Sequence, residues 1–95
     1  MRLELSAQAS RDIERLHRDG VARFGTRTAA DYIKGLLDLL DLIGRNPMMA
    51  RDRMEFHPPA RLIRYKSHVV FYRIADERIK IVRVLHGRQD WFDYL

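Results

Sequence analysis

The stretch "RLIRYKSHVVFYRIADERIKIVRVLH", residues 61–86, constrains the fold more than any other part of the chain. It is dense in β-branched and aromatic residues and is interrupted only at Lys66-Ser67 and Asp76-Glu77, two polar pairs suited to tight turns. The spacing predicts three strands in an antiparallel meander. In "HVVFYRI" both alternating sets are largely apolar: Val70, Tyr72 and Ile74 on one side, Val69 and Phe71 on the other. A strand of that kind is covered on both faces, which places it in the middle of a sheet. In "RIKIVRV" the alternation loses phase at Ile81-Val82, which predicts a bulge or burial on both sides.

The N-terminal half reads as helical. "MRLELS" alternates, with Leu3 and Leu5 on one side, and predicts a short strand. Ser6 then suits a helix N-cap, because its hydroxyl accepts from an unpaired N–H of the first turn. Ala9, Ile13, Leu16 and Phe24 follow at helical spacing, with Gly20 interrupting. Gly25 suits a left-handed C-terminal cap and Thr26 the next N-cap. "TAADYIKGLLDLLDLIGRNP" predicts a second helix, closed by Asn46-Pro47. Its apolar arc is wide: Ala29, Ile33, Leu37 and Leu40 form one line, and Tyr32, Leu36, Leu39 and Ile43 a second. Either one line packs on the first helix and the other on the sheet, or one line is left as a groove for a partner. "NPMMARDRMEFHPPA" predicts a loop, and "QDWFDYL" a single helical turn. The fold expected is α+β: a two-helix antiparallel hairpin packed on a small, mainly antiparallel sheet, in the order β-α-α-β-β-β with a short C-terminal turn or helix. Residues 1–95 are expected to form one domain.

At 95 residues with 46% hydrophobic content, the chain has enough apolar material for a thin core. It has no cysteine, so no disulfide framework or thiolate metal site is expected. No apolar run approaches the ~20 residues of a membrane span, and Met1 to Leu5 does not read as a signal peptide. The expectation is a soluble, cytoplasmic chain that uses no membrane. The net charge of +5 is unevenly placed: residues 1–55 carry ten basic and nine acidic groups, residues 56–95 eight and four. Such a field favours an acidic partner.

Few residues suggest chemistry. His86, at the end of the last strand, suits either a general acid or base or a group that holds the turn at Gly87; His68, at a strand start, is similar. No pair among His17, His57, His68 and His86 has metal-ligand spacing, and no cofactor is implied. Arg61, Arg64, Lys66, Arg73, Arg83 and Arg88, with Tyr65, Tyr72 and Trp91 nearby, suit a nucleic-acid surface or a solvated sheet face. In "RVLHGRQDWFDYL", Gly87 frees the backbone to turn, and Arg88, Asp90 and Trp91 project beyond it. Arg and Trp dominate the energetics of many interfaces. The other possibility is that Trp91 folds back to cap the sheet, with Asp90 pairing Arg88 or Arg83.

The order and spacing of "LSAQASRDI", "RFGTRTAADYI", the "NP" after the second helix and "SHVVFYRIADERIKIVRVLHGRQDW" resemble the ParE branch of the RelE/ParE toxin superfamily over nearly the whole chain. The resemblance implies a bacterial toxin that binds and inhibits DNA gyrase, blocking replication, without chemistry of its own. It implies a cognate ParD-like antitoxin whose acidic C-terminal segment wraps the toxin in a hetero-oligomer, with DNA met only through that antitoxin. On this reading gyrase is expected to meet His86, Arg88, Asp90 and Trp91. The antitoxin is expected at Ile13, Leu16, Tyr32, Leu36, Leu39 and Ile43, with Arg64 and Arg73 anchoring its acidic tail. The rival branch, RelE, cuts messenger RNA on the ribosome with basic residues and a tyrosine on the strands and near the C-terminus. Val69 stands where RelE-like chains tend to carry an arginine, while Tyr94 and Arg88 resemble parts of such a set. A third reading is a degenerate toxin kept as an antitoxin-bound regulator.

Overall fold

A computed structural model describes residues 1–95. Strand β1 (Arg2–Leu5) leads into helices α1 (Ala7–Phe24) and α2 (Thr26–Arg45); strands β2 (Arg61–Tyr65), β3 (His68–Ala75) and β4 (Arg78–His86) follow. Short 3-10 turns occupy Pro47–Met49 and Trp91–Asp93. The sheet order is β1-β4-β3-β2, antiparallel except for the parallel pair β1–β4. The fold is therefore α+β, with a helical hairpin on one face of a mainly antiparallel sheet. No helix is long and apolar enough to cross a membrane.

Both turns of the meander fall at the expected polar pairs. Lys66, Asp76 and Glu77 all adopt positive φ, and no β-branched residue stands at these three positions. The phase loss in β4 is a bulge: Phe71 pairs with Arg83 but Tyr72 pairs with Ile81, leaving Val82 as the extra residue. β3 is covered on both faces, as its two apolar sets require. Val70 and Tyr72 join Leu36, Leu40, Ile43, Ile79 and Ile81 in the core beneath the helices. Val69 and Phe71 face the other way, into a second cluster with Phe56, Ala60 and Leu85. The loop before β2 and the C-terminal tail cover that second cluster, with Leu62, Trp91 and Leu95 packed against it.

Ser6 caps α1 as expected, its hydroxyl accepting from the Ala9 N–H at 2.9 Å. The junction differs in one residue: Gly25 is the N-cap of α2, with φ 89°, and Thr26 is already helical. Only glycine holds that backbone without strain. Helix α2 ends at Asn46, before Pro47. The two apolar lines of α2 do not divide between α1 and the sheet. The buried residues are Ala29, Leu36, Leu40 and Ile43, two from each line. At about 100° per residue these four lie within about 60° of one another, so the core takes the seam between the lines. Leu37, beyond that seam, is 49% exposed.

Candidate functional site

The last strand organises the C-terminal region. β1 pairs with β4 only as far as Ile81, so the edge of β4 beyond the bulge has no strand partner. Helix α1 closes it with side chains. The Ser6 hydroxyl donates to the Val82 carbonyl at 2.7 Å, and the Asp12 carboxylate accepts from the Val84 N–H at 2.9 Å. Asp12 also accepts two 2.8 Å hydrogen bonds from Nε and Nη2 of Arg83. The paired side chains are only 6% and 16% exposed. The bond to Asp12 raises the Arg83 pKa further, with burial opposing it. The same guanidinium reaches the Tyr94 carbonyl at 3.4 Å and lies 5.2 Å from its ring centroid, which ties the tail to the strand.

The four tail residues expected to meet a target separate into two kinds. Trp91 packs edge-on against Phe71, with ring centroids 5.4 Å apart, and its indole N–H donates to the His86 carbonyl at 3.4 Å. Asp90 pairs with neither Arg88 nor Arg83; its carboxylate caps the final turn by accepting from the Phe92 N–H. Both are therefore engaged in holding the tail. His86 holds the turn: its Nδ1 accepts from the Arg88 N–H at 3.1 Å. Gly87 has no positive φ, so conformational freedom is not what the position requires. An added Cβ would lie 2.9 Å from Nη1 at the end of the exposed Arg64 side chain, which can move aside, and 3.4 Å from the Ser67 carbonyl, an ordinary contact. Arg88 is exposed, and its guanidinium engages no acid.

Beside this turn lies a groove of about 580 Å³ between the hairpin end of the helices and the start of β3. The Tyr32 hydroxyl lies 2.8 Å from Nδ1 of His68, and the His68 ring meets His86 edge-on at 5.2 Å between centroids. Burial, reinforced by His86, lowers the His68 pKa. Burial raises the Tyr32 pKa against a hydrogen bond from the Ser67 backbone, so the phenol keeps its proton at neutral pH. The Tyr32 carbonyl accepts from the Tyr65 hydroxyl at 2.8 Å. Gly35 makes room for that hydroxyl: an added Cβ there would stand only 2.2 Å from it. Glycine in the middle of α2 was the legible sign of this approach; the Tyr32–His68 bond and the Asp12–Arg83 pair had no sign beyond an acid on the apolar stripe of α1.

The strand arginines do not form one free basic face. Arg61 donates to the Ala50 carbonyl, Arg73 to the Pro58 and Pro59 carbonyls at 2.9 and 3.1 Å, and Arg83 to Asp12. Arg73, expected to anchor an acidic tail, instead holds the loop. Arg64 is exposed, and the Lys66 ammonium lies 5.4 Å from the Tyr32 ring centroid. Among the apolar residues assigned to a partner groove, Leu36 and Ile43 are fully buried in the core and are unavailable. Ile13, Leu16, Tyr32 and Leu39 are half-buried; Leu16 and Tyr32 line the groove.

Residues 3–91 match the family model described as ParE toxin of type II toxin-antitoxin system, parDE. The chain belongs to the ParE toxin family. A protein named Toxin ParE1 from Caulobacter vibrioides is 34% identical over 82 residues, covering 86% of this chain and 84% of its own. A Toxin ParE1 from Mycobacterium tuberculosis is 34% identical over 87 residues, covering 90% and 89%. A solved structure described as a chromosomal ParDE TA system from P. aeruginosa superposes with a TM-score of 0.80 over 90% of this chain and 95% of that one, at 16% identity. That likeness shows the shared fold.

Proposed function

We propose that this ParE-family chain poisons DNA gyrase by contact, without chemistry of its own, and that a cognate antitoxin neutralises it through an acidic segment. The observation that carries the contact reading is the use made of the basic and tyrosine side chains on the strands. An endoribonuclease needs such groups to converge on an open cleft, to activate a 2′-hydroxyl, protonate a leaving oxygen and stabilise the developing charge. Here Arg61, Arg73 and Arg83 are each spent on a backbone carbonyl or on Asp12. Tyr65 and Tyr72 donate to the Tyr32 and Pro47 carbonyls. Val69, where RelE-like chains tend to have arginine, is fully buried in the second cluster. The exposed groups left at the C-terminal end of β4 are a contact surface, and Arg88 is its principal side chain. Induced expression in a bacterium tests this. DNA synthesis is expected to stop while messages stay full length, and co-expression of an acidic-tailed antitoxin is expected to restore growth. Shortened messages with continuing DNA synthesis would overturn the reading.

A further inference from the structure

The groove at the hairpin end has a composition that suits neither a core defect nor a purely apolar docking face. Leu16 and Phe24 supply apolar wall, and Tyr32, Ser67, His68 and His86 supply polar groups. Its lining holds one charge of each sign, Arg23 and Asp19, and further basic groups border it. Arg23 lines it, and the Lys66 ammonium lies against the Tyr32 ring. The Arg64 guanidinium lies over Gly87, and Arg88 follows in the chain. Asp19 is the one acid among the lining residues. None of these four cations is in an ion pair, although Lys34, Arg45, Arg53 and Arg83 elsewhere are.

We infer that this groove seats an acidic, partly apolar segment of the antitoxin, with a carboxylate received at the His68–His86 end and with His68 taking up a proton as the segment binds. The inference rests on the antitoxin reading above and adds where the acid sits and what it couples to. The charge argument is complementarity: Arg23 and Asp19 balance within the lining, and the unpaired Lys66 and Arg64 at its border tip the balance toward a carboxylate over a neutral group. The proton argument is geometric. Nδ1 of His86 is committed as acceptor to the Arg88 N–H, so a proton there would break the turn. Nδ1 of His68 faces a hydroxyl, which both donates and accepts. Protonating His68 reverses that bond without losing it. Tyr32 from α2 and His86 at the end of β4 face His68 directly; Arg23 and Asp19 from α1 line the same groove, and Lys66 from the β2–β3 turn lies against the Tyr32 ring. Burial, His86 and the nearby cations oppose a positive imidazole, the Tyr32 hydroxyl can accept from it, and the arriving carboxylate offsets the opposition. Binding therefore favours protonated His68, and affinity rises as pH falls toward and through the ordinary histidine range.

The test titrates the full chain with a capped leucine–glutamate decapeptide and with its leucine–glutamine counterpart, following the His68 and His86 imidazole resonances by NMR. The acidic peptide is expected to shift both rings and raise the His68 midpoint, to bind about tenfold more tightly at pH 6 than at pH 8, and to weaken severalfold in Arg23→Gln, an exposed change. Equal binding of both peptides would reduce the groove to an apolar surface and overturn the carboxylate site. No shift with either peptide would overturn the groove. Acetate alone producing the same shifts would make it a small-anion site and overturn the peptide assignment. Binding indifferent to pH would overturn the proton coupling. Because the titration uses neither gyrase nor antitoxin, its failure is separable from failure of the toxin reading, which the growth assay detects.

Discussion

Replacing Asp12 by alanine removes three hydrogen bonds at once. Arg83 loses both carboxylate contacts, and the Val84 N–H loses its acceptor at a strand edge that no other strand reaches. Breaking a buried ion pair from one side costs about 3–5 kcal/mol, because the remaining charge stays enclosed. An orphaned buried N–H costs about 1–3 kcal/mol. The two penalties overlap here. Arg83 is 16% exposed and already touches the Tyr94 carbonyl, so it swings partly toward water. About 3 kcal/mol is therefore the expected total, a large share of the roughly 5–15 kcal/mol that holds a small domain together. At about 4–8 °C per kcal/mol for a domain of this size, the melting temperature should fall by about 12–24 °C. Urea denaturation should show the midpoint moving with an unchanged slope. Asp12→Asn, which keeps an acceptor for the Val84 N–H, should fall between wild type and alanine. The double variant Asp12→Leu/Arg83→Met should recover the ion-pair part of the loss, since the stranded charge is gone. A cost under about 1 kcal/mol for Asp12→Ala, or a double variant no more stable than Asp12→Ala, would refute the role given to this pair.

Arg88→Ala should leave the urea midpoint within the effect of an exposed charge, about 0–1 kcal/mol, while abolishing growth arrest; full toxicity in the folded variant would remove Arg88 from the contact surface. Gly35→Ala should destabilise by about 1–3 kcal/mol through collision with the Tyr65 hydroxyl, although alanine is the better helix former by about 1 kcal/mol, and Tyr65→Phe in the same chain should restore part of the loss in a thermal melt. His68 has a folded-state pKa below its unfolded value, so its contribution is complete above the ordinary histidine range and is lost as pH falls through it toward the folded-state value. Melting temperature should accordingly drop between about pH 7 and pH 5.5, and His68→Gln should flatten that slope.

What was legible in the sequence was local. The turns at Lys66-Ser67 and Asp76-Glu77 interrupt otherwise unbroken strand patterns, the bulge at Val82 is a phase error in alternation, and Ser6 and Pro47 mark helix ends by their own chemistry. What was not legible depended on elements far apart in the chain. Asp12 and Arg83 stand 71 residues apart, and only the bulge and the missing edge partner bring them together. The wide arc of α2 could not say which of its residues were core; packing placed the centre between the two lines and buried Leu36 and Ile43, which a partner groove would have needed exposed. In the candidate site, the partners each side chain finds separated residues that the sequence presented alike. Trp91 and Asp90 hold the tail, His86 holds the turn, and Arg88 is exposed with no side-chain partner. Tyr32 was expected in a partner groove, but its bond to His68 was not legible because nothing in the sequence sets that turn of α2 against the start of β3.

A chain that acts on gyrase by contact should do so with purified components. A supercoiling reaction with purified gyrase, relaxed plasmid and purified chain, run beside a translation reaction with ribosome-bound message, tests it most directly. Dose-dependent loss of supercoiling, relieved by antitoxin, is expected with the message intact. Normal supercoiling accompanied by cleaved message would contradict contact action.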